Sequence, residues 1–461
     1  MNRNMMWCVA GVLFLAMMWI GAARVACGQE AGLAPTPPMG WNSWDAYGED
    51  VKETDFRATA DWVAKNLKAY GWEYIVVDSG WYVTDHGVGT LSEKAQFSMD
   101  EFGRLTPSTR AIPSAANGAG FRPLADYLHS HGLKFGLHLM RGIPREAVAR
   151  NLPIAGSEFH AKDAADTGDA CPWNSYNWGL DTSKPAAQAY YDSLAVQLAE
   201  WHVDLIKVDC ISSRPYKGEE IRLIHQALKK VKWPIVLSLS PGAAPLDKAE
   251  EMGKYAQMWR ISDDEWDVWY GKEDFPQGVN NQFERAEKWT KFSKPGNWPD
   301  ADMLAIGRLE PSPGWGKPRA SRLTKDEQMT LFSLWSMMRS PLIIGANLTL
   351  CDEWTKALLT NAEVIAIDQH SKNNHAVLTT EKAAVWVAQP ETGDGYYVGV
   401  FNRSDAPQEM KYSWKELGID GKSQILRDLW EGKDLGNAEG VRVTLAPHAS
   451  VVYAVRSGKD Q

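Results

Sequence analysis

Most of the chain alternates short apolar runs with longer amphipathic segments. Short continuous apolar runs are typical of strands buried on both faces of a parallel sheet, and the segments between them have helical spacing. Eight such units predict an α/β fold in which the sheet closes into a (β/α)8 or TIM barrel. The predicted strands lie at 39–41, 74–78, 134–139, 205–209, 235–239, 257–261, near Met303 and at 341–345. The predicted helices include 55–70, 121–131, 185–201, 219–231 and 325–339.

The pattern changes after about residue 370. Runs at 384–390, 395–402, 423–430 and 449–455 alternate apolar and polar positions, and glycine, aspartate and asparagine turns separate them. This pattern has no helical period and predicts a second, smaller domain built as an antiparallel β-sandwich. The predicted organisation is a barrel at 29–372 and a β-sandwich domain at 373–461.

The first 28 residues have the pattern of an export signal. Arg3 precedes an apolar run at 5–23, and small residues around Cys27 offer a cleavage point. We therefore expect a secreted or periplasmic protein that has no membrane contact after cleavage. An uncleaved anchor is the alternative, because the run approaches the length that spans a bilayer, and lipidation at Cys27 is a third interpretation.

The cysteines limit the disulfides and metal sites that the chain can form. Of the five cysteines, Cys8 and Cys27 fall in or beside the export segment. Cys171, Cys210 and Cys351 remain, so at least one is unpaired within a monomer. No cysteine and histidine cluster has metal-ligand spacing, and we predict neither a metal nor an organic cofactor.

Charge and composition narrow the class of partner. The formal net charge is −9, which disfavours nucleic acid and anionic membranes. Tryptophan is abundant at 22 residues, and its ring suits the flat face of a sugar, although most tryptophans in any barrel pack in its core. A carbohydrate partner is compatible with this composition and is not established by it.

Polar residues follow several predicted strands. In barrels of this class the active site lies at the carboxyl ends of the strands. A lone carboxylate at such a position is often the cap of the next helix, whereas several together favour a shared site. The residues concerned are Asp78, His138, Lys207, Asp209, Arg260, Asp263 and Asp264.

Lys207 and Asp209 are two apart on a predicted strand and so point to the same side, into the barrel. A lysine there keeps a neighbouring carboxylate ionised, as a nucleophile requires, and a buried structural ion pair is the alternative. The run 259–269, "WRISDDEWDVW" from Trp259, supplies a second acid from another strand. Two facing carboxyl groups are the requirement of a retaining glycosidase.

Seven motifs together carry a resemblance to a known family. The segments "PPMGWNSWDAYG", "YIVVDSGW", "GLKFGLHL", "DLIKVDC", "MWRISDD", "WPDADMLAIG" and "RSPLIIGANL" occur in this order. In order and spacing they resemble glycoside hydrolase family 27, the α-galactosidase or melibiase family, over residues 35–369. The trailing β domain also fits this family.

The resemblance implies a retaining double displacement that releases terminal α-linked galactose from oligosaccharides or polysaccharides without a cofactor. By motif position Asp209 resembles the nucleophile, and Asp264, four residues after Arg260, resembles the acid/base. Cys171 and Cys210 resemble the disulfide that flanks the pocket, although Cys210 comes one residue after the nucleophile where the family has two. The positions that resemble sugar contacts are Trp44, Asp78, Lys207, Arg260 and Asp302.

Three departures from the family pattern bear on the sugar. The α-galactosidases have paired aspartates at the O4/O6 end, where this chain has Asp78 and Ser79, and they have a tyrosine where it has His138. In place of a glutamate near O2 it has Ser240, followed three residues later by Ala243, which resembles the α-N-acetylgalactosaminidases. Loss of the second aspartate equally suits a sugar without O6, as in the family's β-L-arabinopyranosidases.

A function of another class is a carbohydrate-binding barrel without catalysis. The presence of both Asp209 and Asp264 argues against it, because binding alone requires neither a nucleophile nor an acid.

Overall fold

The computed structural model describes residues 32–85, 95–310, 316–421 and 423–457 of the 461-residue chain. The predicted export signal at 1–28 lies outside the described residues. Within them, no helix has both the length and the apolar character needed to cross a bilayer.

The first part of the described chain contains a curved sheet of eight parallel strands. The strands are β1 (Met39–Asn42), β2 (Tyr74–Val77), β3 (Lys134–Met140), β4 (Leu205–Asp209), β5 (Val236–Leu239), β6 (Met258–Arg260), β7 (Trp298–Asp300) and β8 (Leu342–Ile344). Their spatial order is 7-6-5-4-3-2-1-8, so β8 returns to pair with β1. The predicted (β/α)8 barrel is confirmed.

The seventh strand differs from the prediction, which placed it near Met303. β7 ends at Asp300 and pairs with β6. In the apolar run that follows, only Leu304 forms a bridge, to Ile344 of β8, and this bridge closes the ring between β7 and β8. Pro299 hides β7 from pattern analysis, because proline is depleted in strands and lacks a donor for the ladder.

Helices connect the strands and cover the outside of the barrel. Over the described residues they are α1 (Trp44–Tyr47), α2 (Glu53–Asn66), α3 (Arg122–Ser130), α4 (Arg145–Arg150), α5 (Ala161–Ala164), α6 (Pro185–Glu200), α7 (Gly218–Lys230), α8 (Ala249–Tyr255), α9 (Val279–Trp289), α10 (Lys325–Met338), α11 (Glu353–Leu359) and α12 (Ala362–His370). Their starts follow local rules: Pro185 opens α6, and Thr324 with Glu327 forms a capping box at α10.

The loops between the barrel strands and helices contain short additional strands. Val83–Asp85 pairs with Gln96–Phe97, and Arg308–Leu309 pairs with Arg319–Ala320. A third set contains Ile143–Pro144, Ala165–Ala170 and Asn177–Leu180. The strand Ala165–Ala170 ends directly before Cys171. Short 3-10 segments lie at Lys68–Tyr70, Pro113–Gly118, Leu246–Lys248, Thr290–Phe292 and Leu348–Leu350.

The second part of the chain is antiparallel, and the predicted β-sandwich is confirmed. Its strands are β9 (Ser371–Thr379), β10 (Ala383–Pro390), β11 (Tyr396–Asn402), β12 (Gln408–Ser413), β13 (Gln424–Asp428), β14 (Lys433–Ala438), β15 (Gly440–Leu445) and β16 (Ser450–Ser457). Six strands form one sheet in the order 9-10-11-16-13-14, and β12 pairs with β15 in a second sheet.

The larger sheet of this domain buries both of its faces. Along β10, Val385 and Val387 pack in the domain's own core, while Ala384 and Trp386 belong to the core that continues into the barrel. This alternation follows from the two-residue period of a strand. Phe401 meets Phe283 of α9 at a ring distance of 5.3 Å. The β domain is thus packed against the barrel helices rather than joined to them by a loose linker.

Candidate active site

A cavity of about 280 Å³ opens at the carboxyl ends of the barrel strands. Eight of the predicted site residues line it: Trp44, Asp78, Ser79, His138, Lys207, Asp209, Ser240 and Asp264. Arg260 and Asp302 are buried behind this lining and contact Asp264 or each other. The remaining lining residues are Met140, Trp173, Asn174, Arg214, Pro241, Asp263, Phe275 and Met303.

Adjacent strands bring the polar side chains together. In the parallel pairing of β3 with β4, His138 lies opposite Lys207 and Met140 lies opposite Asp209. On β4, Lys207 and Asp209 share the inward face because successive residues of a strand alternate sides. The group of Asp78, His138, Lys207 and Asp209, here called the strand-end cluster, is therefore fixed by the sheet itself.

Asp209 is held at both carboxylate oxygens. Its Oδ1 accepts from the backbone N–H of Cys210 (2.6 Å), and its Oδ2 lies 3.2 Å from Nε2 of His138. An ionised carboxylate only accepts hydrogen bonds, so Nε2 is the donor. Burial raises the pKa of Asp209, but the His138 hydrogen bond, the charges of His138 and Lys207 and the Cys210 N–H outweigh it and lower the pKa. Asp209 is accordingly ionised at neutral pH.

Lys207 makes its direct contact with Asp78 and not with Asp209. Its Nζ donates to Oδ2 of Asp78 at 2.9 Å, and Asn42 donates to the same oxygen at 2.7 Å. Burial raises the pKa of Asp78, yet the charges of Lys207 and His138, the Lys207 hydrogen bond and the backbone N–H of Ser79 lower it well below its usual range. Burial lowers the pKa of Lys207, but the charge of Asp78 raises it, and the pKa is above its ordinary value as a result. The cavity floor therefore carries a fixed ammonium and a fixed carboxylate.

Arg260 joins two acids from different strands. Its Nη2 lies 2.7 Å from Oδ2 of Asp302 and 3.2 Å from Oδ1 of Asp264. Burial raises the pKa of Asp302 to about 7, against the lowering effect of Arg260 and with a further raising effect of Asp264. Asp302 also accepts from the backbone N–H of Glu265 at 2.7 Å. Asp302 thus fixes both the arginine and the backbone just after Asp264.

The adjacent residues Asp263 and Asp264 have different surroundings. Asp263 forms an ion pair with Arg214, and its side chain is 10% exposed. Asp264 is 40% exposed and has Arg260 as its charged neighbour. Burial raises the pKa of Asp263, although Arg214 opposes the change. Both side chains line the cavity, and Asp263 is the one already engaged by a cation.

Cys171 and Cys210 form a disulfide with a Cα–Cα distance of 6.0 Å, and the predicted pairing is confirmed. The bridge fastens the segment after Ala165–Ala170 onto the residue that follows Asp209. Trp173 and Asn174 follow Cys171 by two and three residues and line the cavity. The disulfide therefore holds one wall of the cavity against the end of β4. Cys351 is the free cysteine among the described residues.

Two of the departures from the family pattern have different structural outcomes. Ser79 is buried and lines the cavity beside Asp78. Ser240 also lines the cavity, whereas Ala243 is exposed and is not among the lining residues. The structure thus brings Ser79 to the site and leaves Ala243 out of it.

Sequence reasoning missed part of the cavity wall. Trp173 and Asn174 had a usable signal, since they follow a cysteine of the predicted disulfide. Asn42 stands in "GWNSW" and could have been chosen with Trp44. Arg214 and Phe275 lie in loops whose course depends on tertiary contacts, and no local pattern marks them.

Comparisons with known proteins agree with this architecture. The family model described as alpha galactosidase A matches residues 177–370, and that of the alpha galactosidase C-terminal beta sandwich domain matches residues 380–455. The structure of a β-L-arabinopyranosidase of glycoside hydrolase family 27 from Geobacillus stearothermophilus is 43% identical, with a TM-score of 0.88 over 93% of this chain and 98% of that one.

Two further relatives are named for activity on other sugars. A provisionally named α-N-acetylgalactosaminidase from Bacillus halodurans is 40% identical, with a TM-score of 0.80 over 92% of this chain and 98% of that one. An α-galactosidase from Cyamopsis tetragonoloba is 29% identical over 92% of this chain and 87% of its own length. Because the similarity to the G. stearothermophilus enzyme covers nearly all of both chains, this chain is a glycoside hydrolase and belongs to glycoside hydrolase family 27.

Proposed function

We propose that this protein is a retaining exo-glycosidase that removes terminal β-L-arabinopyranosyl residues in preference to α-galactosyl residues. Ser79 is the observation that carries the preference. β-L-arabinopyranose shares the ring configuration of galactose and lacks only the carbon that bears O6. A buried serine accepts a hydrogen bond from an O6 hydroxyl less strongly than a second carboxylate would. A sugar without O6 therefore gives up little binding energy at this position.

The 43% identical enzyme from G. stearothermophilus supports the same preference, because it is a β-L-arabinopyranosidase. The α-galactosidases that match this chain are more distant, at 29% identity for the plant enzyme. Similarity and pocket chemistry therefore favour the same sugar by separate arguments.

In the first step, Asp209 is the nucleophile and Asp264 the general acid. A carboxylate oxygen of Asp209 forms a bond to the anomeric carbon while the bond from that carbon to the glycosidic oxygen breaks. The proton of Asp264 passes to the leaving oxygen, so the aglycone departs as an alcohol. The lowered pKa of Asp209 keeps it ionised for attack.

In the second step, Asp264 acts as a base. It takes a proton from water, the water oxygen bonds to the anomeric carbon, and Asp209 is released as a carboxylate. Two displacements at one carbon retain its configuration. Lys207 and Asp78 lie at the cavity floor, where they offer a donor and an acceptor to ring hydroxyls in both steps.

Hydrolysis of α-galactosides is the second candidate activity. The cavity contains Trp44, Asp78, Lys207 and Asp209, and none of these four residues distinguishes the two sugars. An acetamido sugar is less well supported, because the small residue expected to make room for it, Ala243, is exposed outside the cavity lining.

The test is a panel of nitrophenyl β-L-arabinopyranoside, α-galactoside and α-N-acetylgalactosaminide with the purified protein. The proposal expects the highest kcat/KM for the arabinopyranoside, with weaker turnover of the galactoside. A higher kcat/KM for the galactoside would overturn the preference and leave the retaining mechanism intact. Absence of turnover on all three would favour a binding barrel.

We also propose that residues 1–28 direct export and are removed, and that the catalytic barrel and the β domain divide near residue 373. The disulfide is consistent with an oxidising compartment. Mass spectrometry of the protein from its native host tests the cleavage. A chain that still begins at Met1 would contradict it.

A further inference from the structure

A cluster of potential metal ligands lies at the opposite end of the barrel from the cavity. Asp126 and His129 stand one turn apart on α3, and His202 follows α6 just before β4 begins. Each offers one ligand atom, and the three atoms lie within 4.8 Å of one another. Since all three precede the starts of strands β3 and β4, the cluster is remote from the carboxyl ends that form the active site.

Both imidazole rings are held in place by other residues. His129 contacts Oδ2 of Asp204 through Nε2 at 2.7 Å, and the backbone N–H of Phe135 fixes that same oxygen. His202 stacks on Trp233 with ring centroids 3.9 Å apart and planes 2° apart. A carboxylate that orients one nitrogen of a histidine and leaves the other free is the usual outer partner of a metal-binding imidazole.

The third ligand is shared with a cation that is already present. Arg122 donates through Nε to both oxygens of Asp126, at 2.8 and 2.9 Å. The Oδ1 atom of Asp126 also lies 3.4 Å from Nδ1 of His202. Asp126 therefore faces both the arginine and the histidine pair, and a bound ion would compete with Arg122 for it.

We propose that Asp126, His129 and His202 bind a divalent transition-metal ion of the Zn²⁺ type, with Asp204 as the carboxylate that orients His129. Two imidazoles and one carboxylate are ligands that Zn²⁺ accepts, with water at a remaining position, whereas Ca²⁺ and Mg²⁺ prefer oxygen ligands alone. The ion would tie α3 to the turn between α6 and β4, and its effect is on stability and not on the chemistry of the cavity.

The test uses the full-length enzyme, stripped with a chelator that is then removed, and titrated with ZnCl₂ by calorimetry. We expect one binding event that is lost in His202→Ala and weakened by about tenfold in Asp204→Asn. Zn²⁺ should raise the melting temperature of the wild type by roughly 2 °C. CaCl₂ should do neither.

Two variants and one activity measurement make the test specific. His131→Gln removes a histidine just beyond α3 that is outside the cluster, and it should bind Zn²⁺ as the wild type does. Arg122→Ala should tighten binding, because it frees Asp126. If Zn²⁺ instead bound in the cavity at His138, binding would persist in His202→Ala and turnover would be inhibited. The difference in Zn²⁺ binding between the wild type and His202→Ala therefore reports only the proposed site. Unchanged turnover without metal shows that each variant is folded.

Equal Zn²⁺ binding by the wild type and a His129→Ala, His202→Ala double variant would overturn the proposal. So would a wild-type protein that binds no Zn²⁺ at about 100 µM, a concentration at which even a weak site is largely filled.

Discussion

Asp209 and Asp264 line the same cavity, yet the protein holds them by different means. Asp209 ends a strand inside the barrel, and both of its carboxylate oxygens have a partner. Asp264 lies in the loop after β6, with 40% of its side chain exposed and one contact of 3.2 Å to Arg260. One carboxylate is fixed by the sheet, and the other is carried by a loop.

The neighbours of Asp264 are held more firmly than Asp264 itself. On one side Asp263 pairs with Arg214, and on the other the fully buried Asp267 accepts from Arg319 and Arg322. This arrangement suits the two proposed roles. A nucleophile benefits from a fixed position and a permanent charge, whereas an acid that becomes a base must gain and lose a proton at each turnover.

Replacement of the fixed carboxylate should have the largest effect. Asp209→Ala should lower kcat by about 10⁴-fold or more, because it removes the group that bonds to the anomeric carbon in the first step. Added azide should then restore turnover and give a glycosyl azide, since a small anion fits the space that the carboxylate leaves. Product analysis by NMR measures both outcomes.

Wild-type protein in the same NMR assay should release a sugar with retained anomeric configuration. Early accumulation of the inverted anomer would rule out double displacement. A folded Asp209→Ala protein without azide rescue would move the nucleophile elsewhere.

Replacement of Asp264, the loop carboxylate, should slow the reaction to an extent that depends on the leaving group. Asp264→Ala should slow substrates with poor leaving groups by about 10²–10⁴-fold and spare activated nitrophenyl glycosides, which depart with little protonation. Steady-state rates over a series of substituted phenyl glycosides provide the measurement.

Asp263→Ala is the matched control, since it removes the adjacent carboxylate that Arg214 already engages. It should leave the leaving-group dependence largely unchanged. If Asp263→Ala shows the pattern expected for Asp264→Ala, the position inferred from Arg260 is off by one residue.

The sequence predicted the fixed region better than the loop region. Apolar runs locate β2, β3 and β4, and strand geometry then places Asp78, His138 and Asp209 at one end of the barrel. Each of these strands is a short, mainly apolar run, so pattern and structure agree. The disulfide between Cys171 and Cys210 followed from the family resemblance and not from any local pattern.

Other features depended on tertiary structure. Lys207 was expected to keep Asp209 ionised, and its charge does lower the pKa of Asp209. Its Nζ nevertheless bonds to Asp78, and His138 takes the place beside Asp209. Which inward-facing side chain meets which is set by length and rotamer, and neither is visible in a strand pattern. Arg214 pairs with Asp263 across 49 positions of chain, which no local signal encodes.

The charge balance of the strand-end cluster can be tested through Lys207. Lys207 lowers the pKa of both Asp78 and Asp209, so Lys207→Met should raise the pKa of Asp209 and move the acid limb of kcat/KM to higher pH by about one unit. The lowered pKa of Asp78 stabilises the fold above its unfolded pKa and ceases to do so as pH falls. The loss of melting temperature in the variant should therefore be larger at pH 7 than near pH 2, which is well below the unfolded pKa of an aspartate.

Lys217→Met is the control for this charge, because Lys217 pairs with Asp169 and is not among the residues that line the cavity. It should not move the acid limb. An acid limb that stays in place in Lys207→Met would mean that His138 and the Cys210 N–H alone keep Asp209 ionised.

The smallest expected effect concerns the choice of sugar. Ser79→Asp places a second carboxylate beside Asp78 at the edge of the fixed cluster, where it can accept a hydrogen bond from an O6 hydroxyl. The kcat/KM ratio of α-galactoside to β-L-arabinopyranoside should rise by about tenfold. Both absolute rates should fall, because a like charge raises the pKa of Asp78 and weakens its bond to Lys207.

Ser79→Asn is the control that separates charge from volume, because it adds a similar volume without the charge. In this variant the kcat/KM ratio of galactoside to arabinopyranoside should rise less, and both absolute rates should fall less. A ratio that stays constant in both variants would mean that Ser79 does not face the O6 position and that the preference for the pentose arises elsewhere in the cavity.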